Sequence, residues 1–365
     1  MRIEKKKLEN FIIGYPLEQI APLDKILFFD IETTGFTAKN SSLYLIGSAY
    51  YSGGEWYIKQ WFADYYEEER DVLETFFTFA SSYTHLVHFN GNNFDLPYVL
   101  QKCGQYGLSY HFDDFKGLDL YRRISPYKFF LNTPNCKQKT LENFLGIDRK
   151  DKYNGGQLIN IYHTYVKNPT DYLYKLLILH NSDDMKGMLQ LLPLLSYHDL
   201  FNKEIKVKKV QAASYPDNGS SRQMLHMKLA FPCVIPRPVS VVSNGCCFSG
   251  EGGEGMLKVP VYEEELKYFY SNYKDYYYLP AEDTAIHKSV SSFVDRTYRI
   301  QATAATCYTR KFSSYLPQWD VQVEPFFKRD YKSRELFFEL TEERKKDREL
   351  FSSYAGYLLG KMAGR

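Results

Sequence analysis

The sequence predicts an α/β fold: a mixed sheet of three antiparallel strands extended by parallel strands and flanked by helices, followed by an α+β C-terminal domain. Three observations predict it. Apolar, β-branched and aromatic runs follow one another closely between 25 and 62. Helical periodicity dominates from 67 to 195, and near Asn202 the texture changes to Lys-rich alternation punctuated by Gly and Pro. That order divides the chain into an N-terminal extension (1–22), a first domain (23–201), an α+β domain of unassigned role (202–340) and a charged terminal helix (341–365). With 365 residues the chain is longer than most single cores, which favours two domains.

Each element has a local reason. The run 25–29 (KILFF) ends at Asp30, and 43–51 and 56–62 carry the β-branched and aromatic residues of two more strands. Gly35 and the polar stretch to Ser42 would turn the first pair, and Ser52, Gly53 and Gly54 the second, giving an antiparallel meander. Over 67–79, Val72, Leu73, Phe76, Phe77 and Phe79 recur at helical spacing behind an acidic first turn. A buried strand at 85–89, a helix at 93–103 and a strand at 115–120 follow. Helices are expected at 141–145, 158–166 and 171–195, the last broken near Pro193. The second half reads as hairpins around a Pro-Asp-Asn-Gly turn, a SGEGGEG loop, a helix at 281–295, a further strand and a helix from Thr341 onward.

Composition narrows the function classes. A net charge of +2 is far from the basic balance that marks a nucleic-acid binder outright, so any basic footprint is local, at 203–209 (KEIKVKK), 328–334 (KRDYKSR) or 344–348 (RKKDR). Aromatic residues make up 17% of the chain, with 33 Tyr and 26 Phe, which serves either a core or base stacking. The six cysteines lack the paired spacing of disulfide frameworks or zinc ribbons, and no stretch approaches the ~20 apolar residues of a membrane span. A soluble, cytoplasmic protein with no membrane partner is expected.

Chemistry concentrates in three places. Asp30 and Glu32 stand two apart at the end of the first strand, so period-two alternation points both to one face. In HFNGNNFDLPY an apolar strand runs into Asn90, and Phe94-Asp95 opens a helix at the same sheet edge. In LLILHNSDD, His180 and Asp184 are four apart and share a helical face. Carboxylates converging from two strands and a helix are what metal-assisted phosphodiester hydrolysis requires, because Mg²⁺ takes hard oxygen ligands while keeping waters and phosphate oxygens.

The triplet FDIETTG, NGNNFDLPY and HNSDDMKGM resembles the Exo I, Exo II and Exo III motifs of the DEDD 3′ to 5′ exonucleases, most closely the YprB-type RNase H-like branch. KTLENFLGIDR and GGQLINIYHTYV resemble segments of that branch between the second and third motifs, so the similarity spans about 25–197. The resemblance implies that Asp30, Glu32, Asp95 and Asp184 hold two Mg²⁺ or Mn²⁺ ions. It places His180 where a base would orient or deprotonate the attacking water. In this chain the His stands at the four-residue spacing typical of the Tyr-type subfamily. Thr33 and Thr34 serve either the terminal nucleotide or a turn, and Asn90 and Phe94 match the flank of the second motif. The implied substrate is the 3′ end of single-stranded DNA or RNA. Two alternatives stay open: a nucleic-acid-binding or regulatory protein on a catalytically weak nuclease fold, and an RNase H-like endonuclease.

Asp119, at a strand end, is either an acid supporting the metal ligands or an ordinary strand-end residue. His85 and His88 flank a buried strand and read as packing residues. In the second half, Asp283 and His287 at helical spacing, with Cys246, Cys247 and Cys307, lack the third group that a catalytic or zinc site needs. The interleaved aromatic and basic residues of YTRKFSSYLPQW and FFKRDYKSRELFF suit either single-strand binding or an aromatic core with a charged exterior.

Overall fold

The computed structural model describes residues 1–217 and 220–364. The chain divides into two units, one of Met1–Asp199 with Ile235–Arg237, the other of Leu200–Val234 with Pro238–Arg365.

In the first unit the elements run β1 (Arg2–Leu8), β2 (Ile26–Thr33), β3 (Leu43–Ser52), β4 (Glu55–Phe62), α1 (Glu69–Ala80), β5 (His85–His88), α2 (Asp95–Gln105) and β6 (Lys116–Asp119). Short helices α3 (Leu120–Ile124) and α4 (Lys128–Leu131) lead to α5 (Gln138–Leu145), α6 (Gly155–Lys167), α7 (Asp171–Gln190) and α8 (Leu195–Asn202). The six-stranded sheet has the order β1-β4-β3-β2-β5-β6. Strands β1 to β4 pair antiparallel, and β5 and β6 add in parallel beside β2.

The N-terminal extension is corrected here: Arg2 to Leu8 form an edge strand on β4, making four antiparallel strands rather than three. Only Leu8 of that strand is buried, so the hydrophobic signal was missing. Its cations are used along the edge: Arg2 pairs with Asp64 at 2.8 Å, Lys7 with Glu55 at 2.8 Å, and Lys5 lies over the Tyr57 ring at 4.4 Å. Charged edges of this kind discourage further strand pairing. Pro193 breaks the long helix as expected, with a 3₁₀ turn at Leu192–Leu194 between α7 and α8.

Two cores sandwich the sheet. Leu27, Phe29 and Ile31 of β2 face one layer with Trp61, Val72, Phe76 and Val99. Tyr44, Leu45 and Phe62 face the other, with Leu158, Tyr162, Tyr165 and Leu177 of α6 and α7, and Tyr44 stacks on Tyr162 at 4.1 Å. The alternation that sends Leu27, Phe29 and Ile31 one way sends Asp30 and Glu32 the other.

The second unit contains β7 (Lys206–Asp217), β8 (Ser220–Ser243), β9 (Cys246–Pro260), β10 (Tyr262–Phe269), β11 (Tyr276–Leu279), β12 (Thr284–His287), β13 (Ile300–Gln301), β14 (Tyr308–Gln318), β15 (Phe326–Phe327), β16 (Leu336–Glu339) and α9 (Arg348–Met362). They form three sheets, β7-β8-β9, β12-β11-β13 and β10-β14-β16-β15. The Pro-Asp-Asn-Gly turn has its Asn218 and Gly219 outside the described residues.

Three expectations are overturned in this unit. The helix at 281–295 is instead strand β12 followed by a 3₁₀ stretch at Lys288–Phe293. Thr284 to His287 pair antiparallel with β11, and Asp283 has φ 52°, which a helix does not accept. Asp283 accepts hydrogen bonds from the hydroxyls of Tyr278 and Tyr308. The SGEGGEG stretch lies within β9 rather than forming a loop, and the Phe231 ring lies against Gly250 and Gly255 where side chains would otherwise project. The terminal α-helix begins at Arg348 rather than Thr341, because Asp347 caps it by accepting from the Leu350 N–H at 2.9 Å.

The aromatic and basic interleaving of this unit goes largely inward or into pairs. Tyr315, Phe327 and Phe337 form a buried core with Leu266. Arg329 bonds Glu264 at 2.8 Å and Glu335 at 2.5 Å, and Lys311 bonds Glu339 at 2.8 Å. Phe312, 71% exposed, is the most exposed large hydrophobic residue of these segments. No helix among the described residues is long and apolar enough to cross a membrane.

Candidate active site

Asp30 and Glu32 emerge from the last half of β2, where a register shift between Glu32 and Thr33 ends the regular ladder with β3. α7 crosses that face of the sheet and presents His180, Asn181 and Asp184. The Asn181 side-chain amide donates to Asp30 Oδ2 at 2.9 Å and its oxygen accepts from Gln60 Nε2 at 2.9 Å. This approach is possible because Gly47 lies opposite Asp30 on β3: a Cβ there would meet Asn181 Oδ1 at 2.0 Å. Asp95, the first residue of α2, accepts the Ile31 N–H at 3.3 Å and so is tied to β2 between the other two acids.

Glu32, His180 and Asp184 place ligand atoms within 4.8 Å of one another, the one such group of metal-binding side chains among the described residues. His180 Nε2 is 3.2 Å from Asp184 Oδ2 and 3.7 Å from Glu32 Oε1. Its Nδ1 is 2.6 Å from Asp151 Oδ2. Burial pushes the Asp151 carboxyl up, but the Tyr153 N–H and the His180 ring outweigh it and hold the group below the usual carboxylate range. Asp151 is therefore an acceptor, so Nδ1 carries the proton and Nε2 faces the carboxylates.

These acids repel one another in a largely buried place. Burial, then the charges of Asp95, Asp184 and Glu32, raise Asp30 well above the usual range, against the pull of Asn181. Burial and then Asp184 and Asp95 raise Glu32 in the same way. Asp95 is pushed up to about 7, chiefly by burial, its backbone hydrogen bonds acting against the rise. Mutual elevation of this kind places Asp30, Glu32, Asp95 and Asp184 in one electrostatic field, which a cation would relieve. The four carboxylates are hard oxygen donors of the kind that suits Mg²⁺ or Mn²⁺, with the His180 imidazole beside them.

The remaining expected residues have local partners. Thr33 Oγ1 donates to Gly35 O at 2.8 Å, and Thr34 Oγ1 accepts from Ser42 N at 2.8 Å, so both hydroxyls close the turn after β2. Asn90 sits at φ 62° and donates its N–H to Asp119 Oδ1 at 2.9 Å, while its side chain accepts from Asn93. Phe94 packs against the α1–α2 core and meets Phe36, which is 88% exposed. Asp119 caps α3, and its charge raises Asp95, so it bears on the site through Asn90 and through the field. The buried His88 ring accepts the Gly91 N–H at 3.1 Å, and its Nδ1 is 3.8 Å from Asp119 Oδ2. Asp183 turns away and accepts the N–H groups of Lys150 and Asp151, both at 2.8 Å. In the second unit His287 Nδ1 meets Ser289 Oγ, and Cys246, Cys247 and Cys307 are free thiols.

Sequence reasoning missed Asn181, Asp151, Arg149 and Glu142. Arg149 donates to Asp184 Oδ1 at 2.6 Å and to Glu142 Oε2 at 3.0 Å. Arg149 and Glu142 both lie in KTLENFLGIDR, and Asn181 is the neighbour of His180; a buried acid and base in one short segment was the available signal.

The family model RNase_H_2, of the RNase_H superfamily, matches residues 27–196. No curated protein matches the chain. Among solved structures, the family B DNA polymerase from the hyperthermophilic archaeon Pyrobaculum calidifontis is similar at 13% identity, over 70% of this chain and 35% of that one, with a TM-score of 0.38. An ExoI/SSB-Ct complex is similar at 15% identity over 56% and 55% of the two chains, TM-score 0.27. The zinc-bound E. coli ExoI–ssDNA complex is similar at 13% identity over 57% and 55%, TM-score 0.28. The chain thus spans about a third to just over half the length of these structures.

Proposed function

Residues 27–196 form an RNase H-like domain, and from that premise we propose that the protein is a metal-dependent 3′ to 5′ exonuclease acting on single-stranded nucleic acid. One observation carries the reading: Asp30, Glu32, Asp95 and Asp184 meet in one buried field that elevates Asp30, Glu32 and Asp95. Such a cluster is stable in its ionised form only with cations in it.

Asp30, Glu32, Asp95 and Asp184 would hold two Mg²⁺ or Mn²⁺ ions, which when bound supply a deprotonated water and neutralise charge on the scissile phosphate. The chain's own residues do the rest. Asn181 fixes the Asp30 carboxylate, and the Ile31 N–H fixes Asp95. Asp151 fixes the His180 tautomer so that Nε2 faces the reaction site, where it can orient a water or accept its proton. Exposed Phe36 with Phe94 beside it offers an aromatic face for the terminal base, next to the turn of Thr33 and Thr34. The C-terminal unit would hold or select the strand. The free thiols of Cys103, Cys136, Cys246, Cys247 and Cys307 fit a reducing cytoplasm.

Replacing Asp30 or Asp184 by Asn should abolish Mg²⁺-dependent release of nucleotides while leaving the circular dichroism spectrum unchanged; retained activity would sink the assignment. A circular single strand should resist digestion, and its cleavage would favour the endonuclease reading. Absence of any Mn²⁺-linked stabilisation would favour a catalytically inactive binding protein.

A further inference from the structure

Arg149 is a permanent cation beside a site rich in acids, and its position is fixed by two helices, α5 and α7. Its guanidinium donates from Nη1 to both oxygens of Glu142, at 3.0 and 3.3 Å, and from Nη2 to Asp184 Oδ1 at 2.6 Å. Glu142 is fully buried on α5 and Arg149 is only 10% exposed, so neither charge is shared with solvent. Gln138 of α5 donates to Glu142 Oε1 at 3.0 Å and to the backbone oxygen of Asp184 at 2.8 Å. On α7, Gly187 leaves room for Glu142, whose Oε1 would lie 2.0 Å from a Cβ at that position. Helix α5 and helix α7 are therefore joined through a guanidinium whose outer nitrogen points at the carboxylate cluster.

An arginine cannot relieve such a site by losing its proton, so its charge is permanent. The oxygen it holds belongs to a carboxylate that, on the reading proposed above, ligates a divalent cation. The guanidinium, on Oδ1, and a metal, on the Oδ2 that faces His180, would divide the charge of one carboxylate. The Nε–H of Arg149 is buried and has no hydrogen-bond partner among the described residues, so the guanidinium is held through its two outer nitrogens. Such an arrangement is held together by charge and can exchange partners once a second cation neutralises the carboxylates.

We infer, resting on the metal-dependent reading of this site, that Arg149 is an internal counter-cation: it holds Asp184 Oδ1, leaves Oδ2 facing His180, and is loosened when a divalent metal neutralises that carboxylate. Glu142 retains the guanidinium when that pair loosens, so the charge stays beside the site. The consequence is a metal affinity lowered by charge: Asp184 is oriented and compensated through Oδ1, and a metal at Oδ2 shares that carboxylate with the guanidinium.

Calorimetric titration of the full-length protein with Mn²⁺ alone tests this without reference to catalysis. R149M should bind Mn²⁺ about tenfold more tightly than the wild type, a coupling of ordinary size between two cations that share a carboxylate. R149K, which keeps the charge but not the fork, should fall between the two. In the unmodified protein, labelled with ¹⁵N-arginine, the Arg149 Nη resonances should lose the restricted rotation imposed by the Asp184 pair on saturation with Mg²⁺; this readout does not depend on how a variant folds. Equal or weaker Mn²⁺ binding by R149M, or Nη resonances unmoved by Mg²⁺, would overturn the inference while leaving the metal site standing. A wild-type protein that binds no Mn²⁺ would overturn both.

Discussion

Replacing Asp95 by Asn should remove a pH dependence that the metal-free protein carries as a cost. In the folded protein the Asp95 carboxyl keeps its proton to about pH 7, because it is buried among other acids, whereas its ordinary value is 3.8. The folded state thus binds the proton more tightly than the unfolded chain. The stability this contributes is full below the unfolded value and is lost as pH rises through the folded one. A displacement of about three units corresponds to roughly 4 kcal/mol at about 1.4 kcal/mol per unit. Asp30 and Glu32 shift in the same direction and add to the slope. The assay is urea unfolding in chelator at pH 5 and pH 8. Wild-type protein should lose several kcal/mol more than D95N across that interval, and saturating Mn²⁺ at pH 8 should abolish most of the difference. An identical pH dependence for wild type and D95N would refute the electrostatic description of the site.

Gly187→Ala should drive Glu142 from its place, separating it from Gln138 and Arg149; uncoupling a buried pair costs about 3 kcal/mol, or a fall in Tm of roughly 6–12 °C for a domain of this size, measurable by calorimetry. D151N should leave Mn²⁺ binding nearly intact while lowering kcat about 10- to 100-fold, since it loosens the His180 ring; an unchanged kcat would remove His180 from the reaction. Phe76→Ala, in the core under the sheet, should cost about 3–5 kcal/mol in urea titration without altering Mn²⁺ affinity per folded molecule.

Much of the first unit was legible because its strands and helices announce themselves by period. β2 to β5, α1, α2, α6 and α7 follow runs whose apolar residues enter the two cores, and the Asp30/Glu32 pair follows from alternation alone. Edge strand β1 was not legible because it buries almost nothing, and its pairing is set by the backbone and by ion pairs. At the site, the groups that touch the field were readable as motifs, whereas Asp151, Arg149 and Glu142 act through contacts made only when α5, α7 and the 146–154 loop come together, and Asn181 through its approach to β2 and β4. The 281–295 stretch misled because Asp283 and His287 are four apart by accident of a turn and a short strand. Thr284 and Ile286 prefer the strand they occupy, and positive φ at Asp283 forbids the helix. Glycines were read as loop markers at SGEGGEG, where a ring packed over the strand explains them instead.

The central claim is tested most directly by following a single-stranded oligonucleotide, labelled at its 5′ end, in Mn²⁺ and in chelator, with wild type and D184N side by side. A ladder that shortens one nucleotide at a time from the 3′ end, seen only with wild type and metal and stopped by a blocked 3′ terminus, is the expected result. Digestion that survives the chelator, the block or the D184N substitution would contradict it.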